Sequence, residues 1–393
     1  MCKKRVSNAC YFSSVNEIAE GVWQELQCEG NLYFQPKYLA ALEKGNPQIQ
    51  FAYVLLLDDA KKAVALATIQ VIDFHLDSVQ NNLQSVVEWV RCMGRRIHLL
   101  SSQKPFKILT CGNTFVSGEH GIFIRPDQDK KQVVEQLAKA IVAFEKDISE
   151  ETINAFMLKD FVNESLFITD ALYNEGYNSF NVDPNMVLTL EDDWHTFDDY
   201  LAALKTKFRV KARKALKQST YLRIQDVQVD EIAQILPKMT LLYKTVSNKA
   251  SFNLGDFNLE TYKFLKENLK ENYFIKTYWL EDKLVGFLSG IINQNLLLDA
   301  HFVGIDYQFN KDYAIYQRML YDYISLAIEH KAKAINFGRT ASEIKSSVGA
   351  VPQNLTIYLR HKKSIPNRIL SLFLKRIQPT EFSLKKPFKA QKV

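Results

Sequence analysis

The sequence is poor in cysteine and lacks any hydrophobic run long enough to cross a membrane. The five cysteines of the 393 residues contain no C-x-x-C pair and all lie in the first 111 positions: Cys2, Cys10, Cys28, Cys92 and Cys111. An odd set of this kind argues against a disulfide framework or a zinc site. No apolar run reaches the roughly 18 residues of a membrane span, and the N-terminus lacks the apolar segment of a signal peptide. These absences predict a cytoplasmic protein whose chemistry needs no metal.

Positive charge is concentrated in two segments of the chain. Residues 360–393 hold ten Lys and Arg against the single acid Glu381, and Lys205–Lys217 holds seven with no acid. The two segments carry +9 and +7 of an overall formal charge of +6, which leaves −10 for the remainder. This is local patterning rather than bulk basicity, and no DNA partner is expected.

Both basic segments have helical spacing. In the first, Lys207, Lys211 and Lys214 fall on one helical face. Such a face can dock an acidic carrier protein, nucleotide phosphates, tRNA or anionic lipid headgroups, and a solvated surface is the ordinary alternative. In the second, Ile365–Ile377 is amphipathic, which predicts either a terminal helix packed on the protein or a contact with an anionic membrane.

The stretch from Phe274 to Gly349 carries the strongest secondary-structure pattern. Short polar turns join three β-rich runs, which predict neighbouring antiparallel strands over Phe274–Leu280, Val285–Ile292 and Leu296–Ile305. Apolar residues at helical spacing then predict a helix over Tyr313–His330, capped by Asn310 or Asp312. A short strand, Ala334–Phe337, runs into a polar loop or helix start over Gly338–Ala350. Functional side chains collect at such strand ends.

The first half of the chain repeats this order of elements, although the two halves share no recognisable sequence motif. A hairpin, two strand-like runs, an amphipathic helix and a returning strand are predicted at Phe51–Leu57, Val64–Ile72, Phe106–Cys111, Gly121–Ile124, Gln132–Phe144 and Thr152–Leu158. A chain of this length suits about two domains. The boundary is placed near Pro184, which gives domains of 1–185 and 186–393.

The words "INFGRTASEIKSSVGA" and the strand order before them resemble the GNAT acyltransferase superfamily, most closely the branch related to Fem-type peptidoglycan bridge aminoacyltransferases. The matching positions are Phe337, Gly338, Arg339, Lys345, Gly349 and Ala350. The segment Phe197–Lys217 is also similar to the basic helix that this branch places before its second domain. The resemblance implies an α/β (α+β) fold of two tandem GNAT-like (acyl-CoA N-acyltransferase) domains, each a mixed, mainly antiparallel sheet flanked by helices.

One segment departs from the pattern of the superfamily. GNAT enzymes hold the CoA pyrophosphate on a glycine-containing loop before the helix, whereas Asp306–Tyr316 contains no glycine. The N-terminus of the following helix still offers N–H groups and a positive dipole end. Lys311 lies in this segment and is a candidate donor-binding residue.

Two groups of residues in the second half are candidates for the chemistry. Asp299 and His301 lie two apart on one predicted strand and therefore point to the same face, where either can take a proton from an attacking amine. The alternative is that Asp299 orients a structural histidine. Arg339 and Lys345, beside Gly338, suit a donor phosphate or an acceptor anion, and the alternative is a solvated loop.

A polar, glycine-flanked loop in the first half is a candidate acceptor site. Its polar residues are Asn113, Ser117, Glu119 and His120. Loops of this kind often carry binding residues, and Glu119 or His120 is an alternative base. The ordinary alternative is a hairpin connection.

Together these features predict an N-acyltransferase that moves an acyl group from an acyl-CoA or acyl carrier protein thioester to an amine. No tightly bound cofactor is expected, since the activated acyl donor is a co-substrate. Backbone N–H groups near Val303 and Gly304 are expected to polarise the reacting carbonyl. The acceptor is expected to be a small or lipid-linked amine, and the location cytoplasmic or peripheral to the inner face of the membrane.

Two alternatives to this activity stay open. One is an aminoacyl-tRNA-dependent Fem-type transferase acting on a cell-wall precursor, for which charged tRNA is the donor. The other is a non-enzymatic GNAT-like binding module whose basic segments dock a partner or a membrane. The missing glycine loop favours the second, and steeply salt-dependent tRNA binding would favour the first.

Overall fold

A computed structural model of the protein describes residues 4–6, 8–74, 106–147, 152–249 and 255–389. Cys2 and Cys92 lie outside these residues, and the described cysteines, Cys10, Cys28 and Cys111, are buried and form no disulfide. The chain divides into two compact units. The first consists of Met1–Asp183, Ser251–Phe257 and Asn354–Thr380, and the second of Pro184–Ala250, Asn258–Gln353 and Glu381–Val393.

The first unit is built on a nine-stranded sheet. Its path is β1-β2-β3-β4-β5-β7-β16-β8, with β6 paired to β4, and among the described strands only β5 and β7 run parallel. The strands are β1 Lys4–Val6, β2 Ala9–Phe12, β3 Gln50–Leu57, β4 Ala63–Phe74, β5 Phe106–Cys111, β6 Ile122–Ile124, β7 Ala155–Phe161, β8 Asn178–Asn181 and β16 Thr356–His361.

Helices accompany this sheet within the first unit. The α-helices are α1 Glu20–Leu26, α2 Pro36–Gly45, α3 Lys130–Asp147, α4 Leu166–Thr169 and α12 Ser364–Leu374. Short 3-10 turns lie at Val15–Glu17, Leu32–Phe34, Asn163–Ser165 and Asp170–Glu175. Helix α3 buries Val134, Leu137 and Ile141 against the sheet, as expected of an amphipathic helix.

The second unit is built on a seven-stranded sheet. Its order is β10-β11-β12-β13-β14-β9-β15, and among its described strands only β13 and β14 run parallel. The strands are β9 Asn185–Thr189, β10 Arg223–Asp226, β11 Tyr273–Leu280, β12 Lys283–Ile292, β13 Leu297–Ile305, β14 Ala334–Asn336 and β15 Val351–Gln353. The helices are α5 Phe197–Ala203, α6 Thr206–Gln218, α7 Val229–Ser247, α8 Thr261–Leu269, α9 Tyr307–Tyr313, α10 Ile315–Glu329 and α11 Ser342–Ser347, with 3-10 turns at Ser219–Tyr221 and Lys270–Asn272.

The two sheets share one order of strand types. Each has a run of antiparallel strands, then one parallel pair (β5–β7 or β13–β14), then a strand from a distant part of the chain (β16 or β9). The helix before the second strand of each parallel pair is α3 in one unit and α10 in the other. The predicted repeat of element order and the predicted fold class of two mixed, mainly antiparallel sheets are therefore confirmed.

The distant strands make the observed division differ from the predicted contiguous segments 1–185 and 186–393. Strand β16 pairs with β7 and β8 of the first sheet, so residues 354–380 belong to the first unit. A second short segment, Ser251–Phe257, also belongs there, and the Phe257 ring packs against Phe115. Contiguous boundaries fail because backbone hydrogen bonds, rather than chain order, assign a strand to its sheet.

The helix predicted over Tyr313–His330 is confirmed as α10, Ile315–Glu329, and a further helix, α9, directly precedes it. The break lies at Ala314, whose φ of 50° places it in the left-handed region that a right-handed helix cannot continue. The side-chain oxygen of Asn310 accepts a hydrogen bond from the Tyr316 N–H at 2.9 Å, as predicted for a capping residue. Among the described residues, no helix is both long and apolar enough to cross a bilayer.

Candidate functional site

The parallel strands β13 and β14 separate shortly after they pair. Their register covers only Leu297–Asp299 on β13 and Ala334–Asn336 on β14. From Ala300 to Ile305, β13 has no strand partner on that side within the described part of the chain. We call the space beside this edge, bordered by the segment from Phe337 to Lys345 after β14, the β13–β14 opening. Unpaired strand edges offer backbone N–H groups to a ligand.

Asp299 lies at the inner end of the β13–β14 opening and is fully buried. Its carboxylate accepts hydrogen bonds from the side-chain amides of Asn336, at 2.7 Å, and Asn293, at 3.5 Å. The Asn336 amide oxygen in turn accepts the Gly338 N–H at 2.8 Å. These contacts tie the carboxylate on β13 to the loop that follows β14.

His301 lies two residues further along β13, and its ring is half-buried. Its Nδ1 lies 3.2 Å from the Tyr273 hydroxyl, and the ring packs on Tyr262 and Phe302. Burial among aromatic rings lowers the pKa of His301 to about 3, because the charged imidazolium loses its hydration. The imidazole is therefore neutral at physiological pH.

A β-bulge follows directly after His301. Ser289 of β12 lies opposite two residues of β13, His301 and Phe302, and its hydroxyl accepts the Phe302 N–H at 3.1 Å. Strand N–H groups alternate in direction, so the N–H of Val303 points away from β12 and toward the β13–β14 opening. Val303 and Gly304 were predicted to polarise a carbonyl, and the bulge directs one of their two N–H groups to that side.

Lys345 is buried, with 5 % of its surface exposed. Its amine donates hydrogen bonds to the backbone carbonyls of Gly338, at 3.1 Å, and Arg339, at 2.6 Å. Burial lowers the pKa of Lys345 to about 7. The predicted phosphate-binding lysine thus points into its own loop and fastens it to α11.

The loop held by Lys345 has an unusual backbone. Gly338, Thr340 and Ala341 have φ angles of 71°, 68° and 49°, all in the left-handed region. Non-glycine residues there are strained, and such strain is maintained only where the surrounding contacts hold the loop. The Arg339 side chain is half-exposed on this loop. Lys311, on α9, is exposed.

The basic segment before the second sheet forms α6, as predicted. Lys207, Lys211 and Lys214 are exposed along one face, whereas Ala212 and Ala215 are buried on the other. No ion pair involves the cations of α6 within the described residues. The helix therefore presents uncompensated positive charge to solvent.

The predicted acceptor residues of the first unit lie together after β5. The Asn113 amide donates to the Tyr38 hydroxyl at 2.6 Å, and the Glu119 carboxylate accepts the Val162 N–H at 2.7 Å. The His120 ring stacks on Tyr33 with centroids 3.8 Å apart, and its pKa is lowered to about 3, mainly by burial. Ser117 is half-buried on the same loop. Their role in acceptor binding stays a prediction.

A buried ion pair that the sequence analysis missed organises this loop. Lys159 pairs with Asp160, and the Lys159 amine also donates to the Asn113 carbonyl at 2.7 Å. Asp160 is fully buried with a φ of 71°. These residues directly follow the fully buried Leu158 on β7, the counterpart of β14, so this strand of the first unit carries a buried ion pair. The sequence signal for this ion pair was two adjacent charged residues, Lys159 and Asp160, near the end of an otherwise apolar strand.

Asn336 was also missed, although it links Asp299 to the loop after β14. A polar residue within the apolar run Ala334–Phe337 was the available signal. In the described part of the chain, no group of His, Cys, Asp and Glu is arranged to hold a metal ion.

No family model matches the sequence, and no curated protein does. Solved structures do match it along most of its length. FemX superposes with a TM-score of 0.54 at 11% identity, over 90% of this chain and 98% of that one. A tandem GNAT protein from the clavulanic acid biosynthesis pathway gives 0.51 at 7%, over 90% and 98%. L-PGS from Bacillus licheniformis gives 0.50 at 12%, over 92% and 96%. At such identities these matches show the fold alone, which is that of the tandem GNAT protein.

Proposed function

We propose that this tandem GNAT-fold protein is an N-acyltransferase that moves an acyl group from an acyl-CoA or acyl carrier protein thioester to an amine. The observation that carries the proposal is the β13–β14 opening, where an unpaired strand edge, a buried carboxylate and a fastened basic loop meet. In the first unit the counterpart strand β7 instead carries the buried Lys159–Asp160 ion pair, whose amine donates to the loop carbonyl of Asn113. We therefore place the chemistry in the second unit.

The unpaired edge of β13 supplies a donor for the reacting carbonyl. In acyl transfer to an amine, negative charge develops on the carbonyl oxygen as the tetrahedral intermediate forms. The Val303 N–H, directed into the opening by the bulge at Ser289, is placed to stabilise that oxygen. A fixed backbone donor needs no reorganisation during the reaction, so it favours the transition state over the ground state.

In this proposal, His301 and Asp299 of β13 assist removal of the proton from the attacking amine. A pKa of about 3 leaves His301 neutral, with a lone pair on one ring nitrogen; so weak a base orients the amine by accepting its hydrogen bond rather than by keeping its proton. If Nδ1 carries the hydrogen and donates to the Tyr273 hydroxyl, Nε2 is left as the acceptor. Asp299 is held by Asn336 and sets a negative potential beside the developing ammonium.

The loop from Gly338 to Lys345 binds the donor in this proposal. Arg339 provides a half-exposed guanidinium, which can hold a phosphate group with two parallel hydrogen bonds. Lys345 acts as a positioning residue, since its amine donates hydrogen bonds to the carbonyls of Gly338 and Arg339 and so fixes the backbone on both sides of the Arg339 Cα. Lys311 is a further candidate for phosphate contact.

The test combines donor binding with turnover. Purified wild type, Arg339→Ala and the charge-matched control Lys333→Ala are screened by thermal shift against acetyl-CoA, longer acyl-CoAs and acyl carrier protein, and thiol release is measured with amine acceptors. We expect one donor to stabilise wild type and the control, because a ligand that binds the native state raises its stability. Arg339→Ala should lose that shift. Wild-type turnover in Arg339→Ala would refute the assigned donor site.

A second candidate is transfer from charged tRNA to a cell-wall precursor, and the exposed cations of α6 favour it. Lys207, Lys211 and Lys214 form an unpaired basic face that suits a polyanion. Charged tRNA should then bind with steep salt dependence, and glutamine at these three positions should lower the salt slope by about three. Salt-independent binding, or thioester turnover without tRNA, would reject this candidate.

A further inference from the structure

Helix α12 has two opposite apolar surfaces, of which only one is covered. Phe373 and Leu374 are buried against the protein. Ile365 and Leu372, in contrast, are 72% and 62% exposed. They lie seven residues apart, which is two helical turns, so both project from the same side of the helix.

Cations surround the exposed apolar side chains. Lys363 precedes the helix, Arg368 lies on it between Ile365 and Leu372, and Lys375 and Arg376 follow its end. These four residues are exposed and make no ion pair within the described residues; the neighbouring Lys362, in contrast, pairs with Glu145. The sequence has no acidic residue from position 362 to 380. The exposed surface is thus cationic and apolar together, without any compensating carboxylate of its own.

This combination favours the surface of an anionic bilayer. Aliphatic side chains gain free energy when they enter the boundary between headgroups and acyl chains, and the flanking Lys and Arg remain among the phosphates. A nucleic acid would satisfy the cations but leave Ile365 and Leu372 in water. A groove in an acidic protein would satisfy both, yet nothing in the chain points to such a groove.

We propose that α12 is a membrane-docking helix that lies flat on anionic phospholipid, with Ile365 and Leu372 inserted and Lys363, Arg368, Lys375 and Arg376 at the headgroups. The proposal goes beyond the acyltransferase activity and does not depend on it. If both hold, the protein works beside a lipid surface, where a lipid-linked amine is within reach.

Sedimentation with vesicles tests the proposal on the 393-residue chain. Vesicles of phosphatidylcholine alone are compared with vesicles of phosphatidylcholine and phosphatidylglycerol, at low and high salt. Wild type should bind the anionic vesicles, bind the neutral ones weakly, and lose binding as salt rises.

Two variants separate the apolar and the electrostatic contributions. Ile365→Ser/Leu372→Ser leaves the charge unchanged and should abolish binding at moderate salt. Arg368→Gln/Lys375→Gln should lower the partition coefficient roughly 25-fold, since each cation near an anionic surface contributes about fivefold. The matched control Lys130→Gln/Lys131→Gln removes two exposed charges from α3 and should bind like wild type.

Several results would overturn the proposal. Equal binding to neutral and anionic vesicles would remove the electrostatic part, and an equal loss in the Lys130/Lys131 control would show that net charge alone attracts the protein. Unchanged binding of Ile365→Ser/Leu372→Ser would show that α12 does not insert. Because both serine positions are exposed, thermal unfolding should match wild type, which separates lost docking from lost folding.

Discussion

Replacement of Lys345 by methionine should remove a specific pH dependence of stability. The buried amine has a pKa of about 7 in the folded protein, against the ordinary lysine pKa of 10.5. Between these values the unfolded chain binds a proton at Lys345 that the folded chain has released. The free energy of unfolding therefore rises with pH across this window, by up to about 1.4 kcal/mol per pH unit.

The expected magnitude follows from the window. From about pH 7.5 to 9.5, the Lys345 contribution should grow by roughly 2 to 3 kcal/mol in wild type and stay constant in Lys345→Met. The variant also leaves the carbonyls of Gly338 and Arg339 without their donor, which costs about 1–3 kcal/mol for each buried acceptor left unpaired. That cost is the same at every pH. It therefore shifts the free energy of unfolding of Lys345→Met by a constant amount and does not alter how that free energy depends on pH.

Urea unfolding of both proteins at several pH values in this window measures the effect. Other titrating groups are common to both proteins and cancel in the difference between their free energies of unfolding. A difference that is flat with pH would show that Lys345 stays protonated in the folded state across this window, and would refute the lowered pKa of its amine.

Three further predictions concern the seven-stranded sheet of the second unit. Asn336→Ala removes the 2.7 Å donor of the buried Asp299 carboxylate, so urea unfolding should show a loss of about 1–3 kcal/mol, and an unchanged stability would contradict the contact. The His301 ring proton signals should not titrate between pH 5 and 8 in NMR spectra, and its contribution to stability should fall as pH drops from 6.5 toward 3, because the unfolded chain takes up the proton first. Gly290→Ala would bring a Cβ within 2.2 Å of the Phe274 ring, so we expect a lowered melting temperature and a cost of about 1–3 kcal/mol; a wild-type melting temperature would show that the ring moves freely.

Strands β11, β12 and β13 were predictable from the sequence almost to the residue. Predicted bounds of Phe274–Leu280 and Leu296–Ile305 became Tyr273–Leu280 and Leu297–Ile305. Their signals are local, since alternating apolar residues and a short polar turn lie within one stretch of chain. The apolar face of α10 was visible for the same reason, whereas the break at Ala314 was not, because alanine is a strong helix former.

The positions of β9 and β16 could not be predicted, because their partners lie far away in the sequence. The six residues Thr356–His361 contain no sequence signal that identifies β7 and β8 as their partners. Those strands end near residues 161 and 181. The burial of Lys345 could not be predicted for a related reason. A lysine within polar residues predicts an exposed charge, and only the fold shows that loop carbonyls surround its amine.

The late arrival of β16 has a consequence for synthesis on the ribosome. Strand β8 pairs only with β16 among the described strands, and β16 also covers the edge of β7. Residues 1–360 are synthesised before β16 is complete. During that time the first sheet lacks its penultimate strand and exposes an open edge. Open edges invite pairing with other nascent chains. The first sheet is thus completed only after residue 361 has been translated, some 180 residues after β8, so the protein should be more sensitive to ribosome stalling and more dependent on chaperones than a chain with contiguous domains.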